Sequence, residues 1–161
     1  ELKGPSYKKN CQQSIEILFH KRLAKEIERN KNLHFYDEFG IFDTNNKKYC
    51  WAHEGEDICI RKSKSFTKRH ILMICDTKRI IRYEMNLYHT NSNVVCEFFE
   101  NLFKIEGKEL FSDSVLILDN ASYHRSNEVL NVLKKCYGRV LFIPPLSPSL
   151  NMIEFLFAIL K

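Results

Sequence analysis

The sequence predicts an α/β domain built on a mixed sheet, antiparallel strands first and βαβ crossovers after, flanked by helices. Three observations carry that expectation. Strand-like runs at 68–76 and 79–87 meet at Asp76-Thr77-Lys78, a spacing suited to a hairpin. Two short apolar runs, Ser114 to Leu118 and Arg139 to Ile143, lie either side of a helical pattern, as buried parallel strands do. Over 10–30 and 91–104 the apolar residues recur every three or four positions, the period of an amphipathic helix.

Taken in order, residues 1–9 hold Gly4 and Pro5 and read as a tail or linker before a domain at 10–161. In the first helix Ile15, Leu18, Phe19, Leu23 and Ile27 form the apolar face, and Asn30-Lys31-Asn32 ends it. Leu33 to Phe42 alternates as a strand does, so Phe35, Asp37 and Phe39 share a face. Glu38 then points to the other face, where a surface role is expected. Asp43-Thr44-Asn45-Asn46 is a turn, Tyr49 to Ala52 a short strand whose Trp51 either packs in the core, the favoured reading, or stacks on DNA, and 53–57 a loop. The helix over 91–104 buries Val94, Val95, Phe98, Phe99, Leu102 and Phe103. Ser126 caps a helix over 126–136. Pro144-Pro145 stops the strand at 139–143, and a last helix from near Ser149 carries Glu154.

The composition fits one globular domain. A chain of 161 residues that is 44% hydrophobic and 12% aromatic buries a real core and does not read as disordered. No apolar run approaches the roughly 20 residues of a membrane span, and no signal peptide is visible. The chain opens on Glu1 and stops inside an apolar pattern, so it reads as an excerpt of a longer protein. Its six cysteines form no Cys-x-x-Cys pair, which argues against structural zinc and for a reducing compartment. The net charge is +5, with basic clusters at Arg61, Lys62, Lys64, Lys68 and Arg69, and at Lys134, Lys135 and Arg139. Each cluster suits either a phosphate backbone or a solvated face. His34, His53, His70 and His89 show no ligand pattern and read as structural or exposed.

Acidic groups at the ends of buried elements carry the chemistry. Asp119 ends Val115-Leu116-Ile117-Leu118 and opens Asp119-Asn120-Ala121-Ser122-Tyr123-His124. Glu154 lies thirty-four residues beyond it, after Pro144-Pro145-Leu146-Ser147-Pro148. Asp37 between two phenylalanines is a third such group, and each is costly unless something positive meets it. Two like charges about 4 Å apart repel by about 4 kcal/mol at an effective dielectric near 20. A divalent cation removes that cost, and Mg²⁺ prefers oxygen ligands. Two such ions about 3.5–4 Å apart can serve both the attacking and the leaving oxygen of a phosphodiester. His124 suits an orienting role better than ligation, because Mg²⁺ disfavours imidazole. Asn120 either bonds within the site or shapes the turn, and Asn151 caps or braces the last helix.

The run Leu118-Asp119-Asn120-Ala121-x-x-His124, followed by Pro144-Pro145-x-Ser147-Pro148-x-Leu150-Asn151-x-Ile153-Glu154, resembles the mariner-type DDE transposases and their bacterial insertion-sequence relatives. Phe35-Tyr36-Asp37-Glu38-x-Gly40 is similar to the block with their first catalytic Asp, Trp51-Ala52-x-x-Gly55 to the next, and Phe98-Phe99-x-x-Leu102 to their middle helix. The resemblance implies a ribonuclease-H-like fold and two Mg²⁺ or Mn²⁺ ions on the triad Asp37, Asp119 and Glu154. It implies hydrolysis at transposon ends, then attack of the freed 3′-hydroxyl on target DNA. The implied partners are DNA and, in the full-length protein, a second copy. The implied place is the nucleus in a eukaryote or the cytoplasm in a bacterium. The chain departs from the family pattern at Leu146, Ser149 and Met152, where Tyr, Asp and Pro are usual. Two other readings stand beside it: a decayed transposase-derived module that binds DNA or protein, and a ribonuclease-H-like nuclease on RNA–DNA hybrids. The helix-turn-helix modules that precede the family's core are not visible here.

Overall fold

The structure is a computed structural model and describes residues 5–42, 55, 68–87 and 89–160. Among these residues five strands form one sheet: β1 (Asn32–Phe42), β2 (Lys68–Cys75), β3 (Ile80–Asn86), β4 (Ser114–Leu118) and β5 (Arg139–Phe142). Their order across the sheet is β3-β2-β1-β4-β5. On one side of β1 the neighbours run antiparallel, joined by the hairpin the sequence predicts. Asp76 closes that hairpin, its Oδ1 accepting the N–H groups of Lys78 (2.6 Å) and Arg79 (2.8 Å). On the other side β4 and β5 run parallel to β1, as crossover connections through helices require.

Helices cover both faces. One core packs Tyr36, Leu72, Leu116 and Leu118 of the sheet against α2 (Ser92–Glu106), α3 (Glu109–Ser112) and α4 (Asn127–Leu133). The other packs Phe35, Phe39, Met73 and Ile117 against Phe19 of α1 (Pro5–Glu28) and Ile153 and Phe157 of α5 (Ile153–Leu160). Strand alternation thus splits β1 between two cores. Side chains start α2 and α4: Asn91 Oδ1 accepts Val94 N–H at 3.1 Å, and Ser126, the expected cap, accepts Val129 N–H through Oγ at 3.3 Å. The short α3 was not foreseen; it sinks Phe111 into the first core.

Three expectations need correction. The first helix begins at Pro5, inside the stretch read as a tail, and proline is tolerated in a first turn, where its missing N–H is no loss. Its packed face is also rotated: Ile15, Leu18 and Ile27 are exposed, and the inward stripe is Gln12, Glu16, Phe19, Leu23 and Glu26. Polar partners make that possible. Ser147 Oγ donates to Glu16 Oε1 at 2.8 Å, and Arg139 and Arg29 both pair with the buried Glu26. The last helix starts at Ile153 rather than near Ser149, because Pro148–Leu150 forms a separate tight turn and Asn151 is extended. The predicted turn at 43–46, the strand at Tyr49–Ala52 with Trp51, and His53 lie outside the described residues. No helix among the described residues is long and apolar enough to cross a membrane.

His34 is buried on β1, its Nδ1 2.9 Å from the Tyr137 hydroxyl. Burial, with a smaller push from Arg79 and against the charge of Asp76, lowers its pKa from 6.5 to about 4. The folded protein therefore binds fewer protons than the unfolded chain between those values. This contribution to stability is complete above pH 6.5 and falls as pH drops toward 4, by up to about 1.4 kcal/mol per pH unit. Urea denaturation at pH 7 and pH 5 should show a smaller loss for His34→Gln than for wild type. Equal losses would mean that His34 does not titrate in this way.

Candidate active site

β4 stops at Leu118 while β1 continues to Phe42. The parallel register runs only from Asn32↔Ser114 to Tyr36↔Leu118, so Asp37 and Glu38 are the first β1 residues with no β4 neighbour. Asp119 leaves the end of β4 into that notch. Open α/β sheets bind ligands at the carboxyl ends of their parallel strands, where such a crevice forms. A cavity of about 610 Å³ lies there, lined by Asp37, Glu38, Asp119, Asn120, Asn151, Glu154 and the loop from Pro144 to Pro148.

Asp37 faces the α1/α5 side and is 8% exposed. Its Oδ1 accepts the Glu38 N–H at 2.7 Å, and its Oδ2 accepts Asn151 Nδ2 at 2.7 Å. Burial pushes the Asp37 pKa up to about 7; the charges of Glu38, Asp119 and Glu154 add to it, against the hydrogen bond from Glu38 N–H. Asn151 is itself buried, and its Oδ1 has no hydrogen-bond partner among the described residues. Glu154 sits in the first turn of α5, where the helix dipole favours a carboxylate. Its N–H donates to the Asn151 carbonyl at 3.1 Å, so one residue braces both acids.

Glu38 corrects another expectation. Alternation places it on the opposite face, yet its side chain is only 7% exposed, because the turn Tyr123–Arg125 after β4 folds over that face. Its Oε1 accepts from Tyr36 Oη at 2.7 Å and lies 3.0 Å from His124 Nε2; Tyr123 Oη donates to its Oε2 at 3.3 Å. The fully buried His124 reaches Asp119 Oδ1 with Nδ1 at 2.6 Å, and Ala121 N–H donates to the same oxygen at 3.0 Å. Ionised carboxylates only accept, so both ring nitrogens donate and neither is free to ligate. Burial alone would lower the His124 pKa, but its bonds to Asp119 and Glu38 and their charges raise it to about 9. Burial likewise acts to raise Asp119, and the hydrogen bonds from His124 and Ala121 N–H override it and hold the carboxyl below the ordinary value.

The remaining candidates divide. Asn120 lines the cavity and accepts from Arg125 Nη1 at 3.3 Å. Lys68 lies across Gly40, where an added Cβ would come within 2.7 Å of its Cε. It lines a second cavity of about 300 Å³ with His70, His89 and Thr90, beside the same Asp37, Glu38 and Asp119. Arg69 points to the other face of β2 and is exposed. Arg61, Lys62 and Lys64 lie outside the described residues. In the second basic cluster, Arg139 is taken up by Glu26, and Lys135 stands 3.7 Å from Glu100.

Asp37, Asp119 and Glu154 thus share one cavity, although among the described residues no three acidic, His or Cys side chains are gathered into a metal-holding cluster. The donor set fits a hard divalent cation. It offers carboxylate oxygens, the charges of Glu38, Asp119 and Glu154 add to the burial that raises Asp37, and Asn151 presents an amide oxygen with no hydrogen-bond partner among the described residues. Sequence reasoning found these acids by motif and missed Glu38 and the two tyrosines. The available signal was that Tyr36 and Glu38 share a strand face and that Tyr123-His124 follows a strand end.

The family of DDE superfamily endonucleases matches residues 32–161, from β1 to the end of the chain. Among solved structures, the Mos1 transposase paired-end complex with left transposon end superposes with a TM-score of 0.71 at 22% identity, over 99% of this chain and 49% of that one. The Mos1 strand transfer complex gives 0.69 at 22%, over 92% and 45%. The catalytic domain of Mos1 mariner transposase gives 0.66 at 20%, over 99% and 72%. The chain spans about half the length of the first two (49% and 45%). At these identities the likeness shows the fold, a ribonuclease-H-like mixed sheet. No curated protein matches the chain significantly.

Proposed function

Since this chain belongs to the DDE superfamily endonuclease family, we propose that it is the catalytic core of a mariner-type DNA transposase, cutting DNA phosphodiester bonds and joining the freed 3′ end to target DNA. The observation that carries the reading is that Asp37, Asp119 and Glu154, from three separate elements, line one cavity at the end of the central strands.

In this reading the three acids hold Mg²⁺ or Mn²⁺, two ions being expected; Mos1 structures with Mn and with Mg support a divalent metal. When bound, such ions stabilise the charge on the attacking and leaving oxygens of the phosphodiester. The chain's own residues arrange the site. Asn151 fixes Asp37 through Oδ2, and His124 fixes Asp119 through Oδ1. The Pro144–Pro148 loop walls the cavity, with Leu146 held at φ +59° and 94% exposed on its rim. Lys68 supplies positive charge beside the acids for a DNA backbone. Transposon ends and target are the proposed DNA partners, and the full-length protein is proposed to act as a homodimer.

Supercoiled plasmid incubated with the purified chain and Mn²⁺ should be nicked without sequence preference, and excess EDTA should stop the reaction. Nicking that survives EDTA, or that persists in Asp37→Ala, would remove the basis of the reading.

A further inference from the structure

We propose that Glu38 is a positioning residue that fixes the Asp119 carboxylate in the cavity through the His124 ring. The inference rests on the metal-centred reading above. Asp119 is looser than Asp37, its side chain 47% exposed, and it accepts from the Ala121 N–H and from His124 Nδ1, both on Oδ1. His124 therefore sets how that carboxylate is turned. An imidazole held at one nitrogen can still swing; this one is held at both, by Asp119 at 2.6 Å and by Glu38 at 3.0 Å. Tyr36 and Tyr123 pack edge-on against the ring, at centroid distances of 5.6 Å and 4.5 Å. The same tyrosines donate their hydroxyls to Glu38. Glu38 is thus tied to its own walls and can serve as a fixed post.

Energetics favour a functional origin. Burying a carboxylate costs free energy that an apolar side chain of similar size would avoid, so a buried ionic cluster is poor evidence of a stability role. Here the cluster borders the α2/α4 core through Tyr36, whose ring packs against Phe98 and Phe99 while its hydroxyl turns to Glu38. Glu38 lines the cavity itself, and through the His124 ring the cluster reaches Asp119 on the cavity's other wall. Groups that orient metal-binding side chains typically change metal affinity about 10- to 100-fold when altered.

The test separates reach from charge. Glu38→Asp keeps the charge but is a methylene too short to hold Nε2; Glu38→Gln loses the charge but keeps an acceptor at the right distance. Mn²⁺ is titrated calorimetrically into each protein without DNA, with Asp119→Ala as reference, and the low-field ring N–H resonances of His124 are recorded by NMR. Expected are Mn²⁺ binding about tenfold weaker or more in Glu38→Asp, near-wild-type binding in Glu38→Gln, and loss of the Asp119-bound N–H signal only in the former. Wild-type affinity in Glu38→Asp, or weak binding in Glu38→Gln, overturns the inference. If wild type itself binds no Mn²⁺ in an Asp119-dependent way, the metal-centred reading falls instead. The ring resonance then decides the inference alone: its persistence in Glu38→Asp overturns it.

Discussion

An Asp119→Asn protein is expected to fold normally and to nick DNA at least about a thousandfold more slowly than wild type, because a bound metal contributes several kcal/mol of transition-state stabilisation and each 1.36 kcal/mol is about tenfold in rate. The asparagine retains an oxygen for His124 Nδ1 and for the Ala121 N–H, so the turn after β4 keeps its hydrogen bonds. What it loses is the negative charge. With it goes one of the charges that raise Asp37 to about 7, so Asp37 should ionise more readily in the variant. The two readouts must therefore diverge: an unchanged melting temperature within a few degrees beside a collapsed rate. Asp119→Ala should abolish nicking as well, but it leaves His124 Nδ1 without its acceptor and is the less clean comparison. Full nicking by either variant would sink the assignment of Asp119 as an essential acid.

The second large effect is on stability. Phe99 is fully buried, with ring centroids 4.8 Å from Tyr36, 5.4 Å from Phe98 and 5.9 Å from Phe103. Phe99→Ala leaves a cavity in the centre of the α2 layer and should cost about 3–5 kcal/mol. For a domain of this size that lowers the melting temperature by on the order of 10 °C. The damage should also reach the chemistry. Tyr36 leans on Phe99 and donates to Glu38, so the variant should lose nicking activity beyond the fraction unfolded, measured at a temperature where both proteins are folded. A loss of less than about 1 kcal/mol in urea would mean that the layer repacks around the gap.

Much of the architecture was readable in advance, and the reasons are physical. The hairpin, the buried parallel strands and α2 each announce themselves by a local pattern, and Asp37 stands out because a strand face with two phenylalanines has no ordinary place for a carboxylate. What escaped was set by tertiary partners. The periodicity of α1 pointed to Ile15 and Ile27, yet the inward stripe is chosen by Ser147 and Arg139, more than a hundred residues away in sequence. Alternation correctly put Glu38 opposite Asp37. It could not say that Tyr123 and His124 would cover that side, since a strand pattern reports direction and not what lies there. The start of α5 was placed too early for a similar reason: Asn151 turns its side chain to Asp37 and leaves the helix to begin after it.

The six residues by which β1 outlasts its pairing with β4, from Asp37 to Phe42, have a consequence for how the two halves of the molecule depend on each other. Adjacent positions there are wired to separate helical layers, Asp37 to the α5 side and Glu38 to the α2/α4 side, yet both arrive at one opening. A disturbance in either layer, by mutation or by a docked partner, is therefore delivered to the same few oxygen atoms from opposite directions. Core substitutions in the α5 layer and in the α2/α4 layer are both expected to weaken Mn²⁺ binding at that one opening.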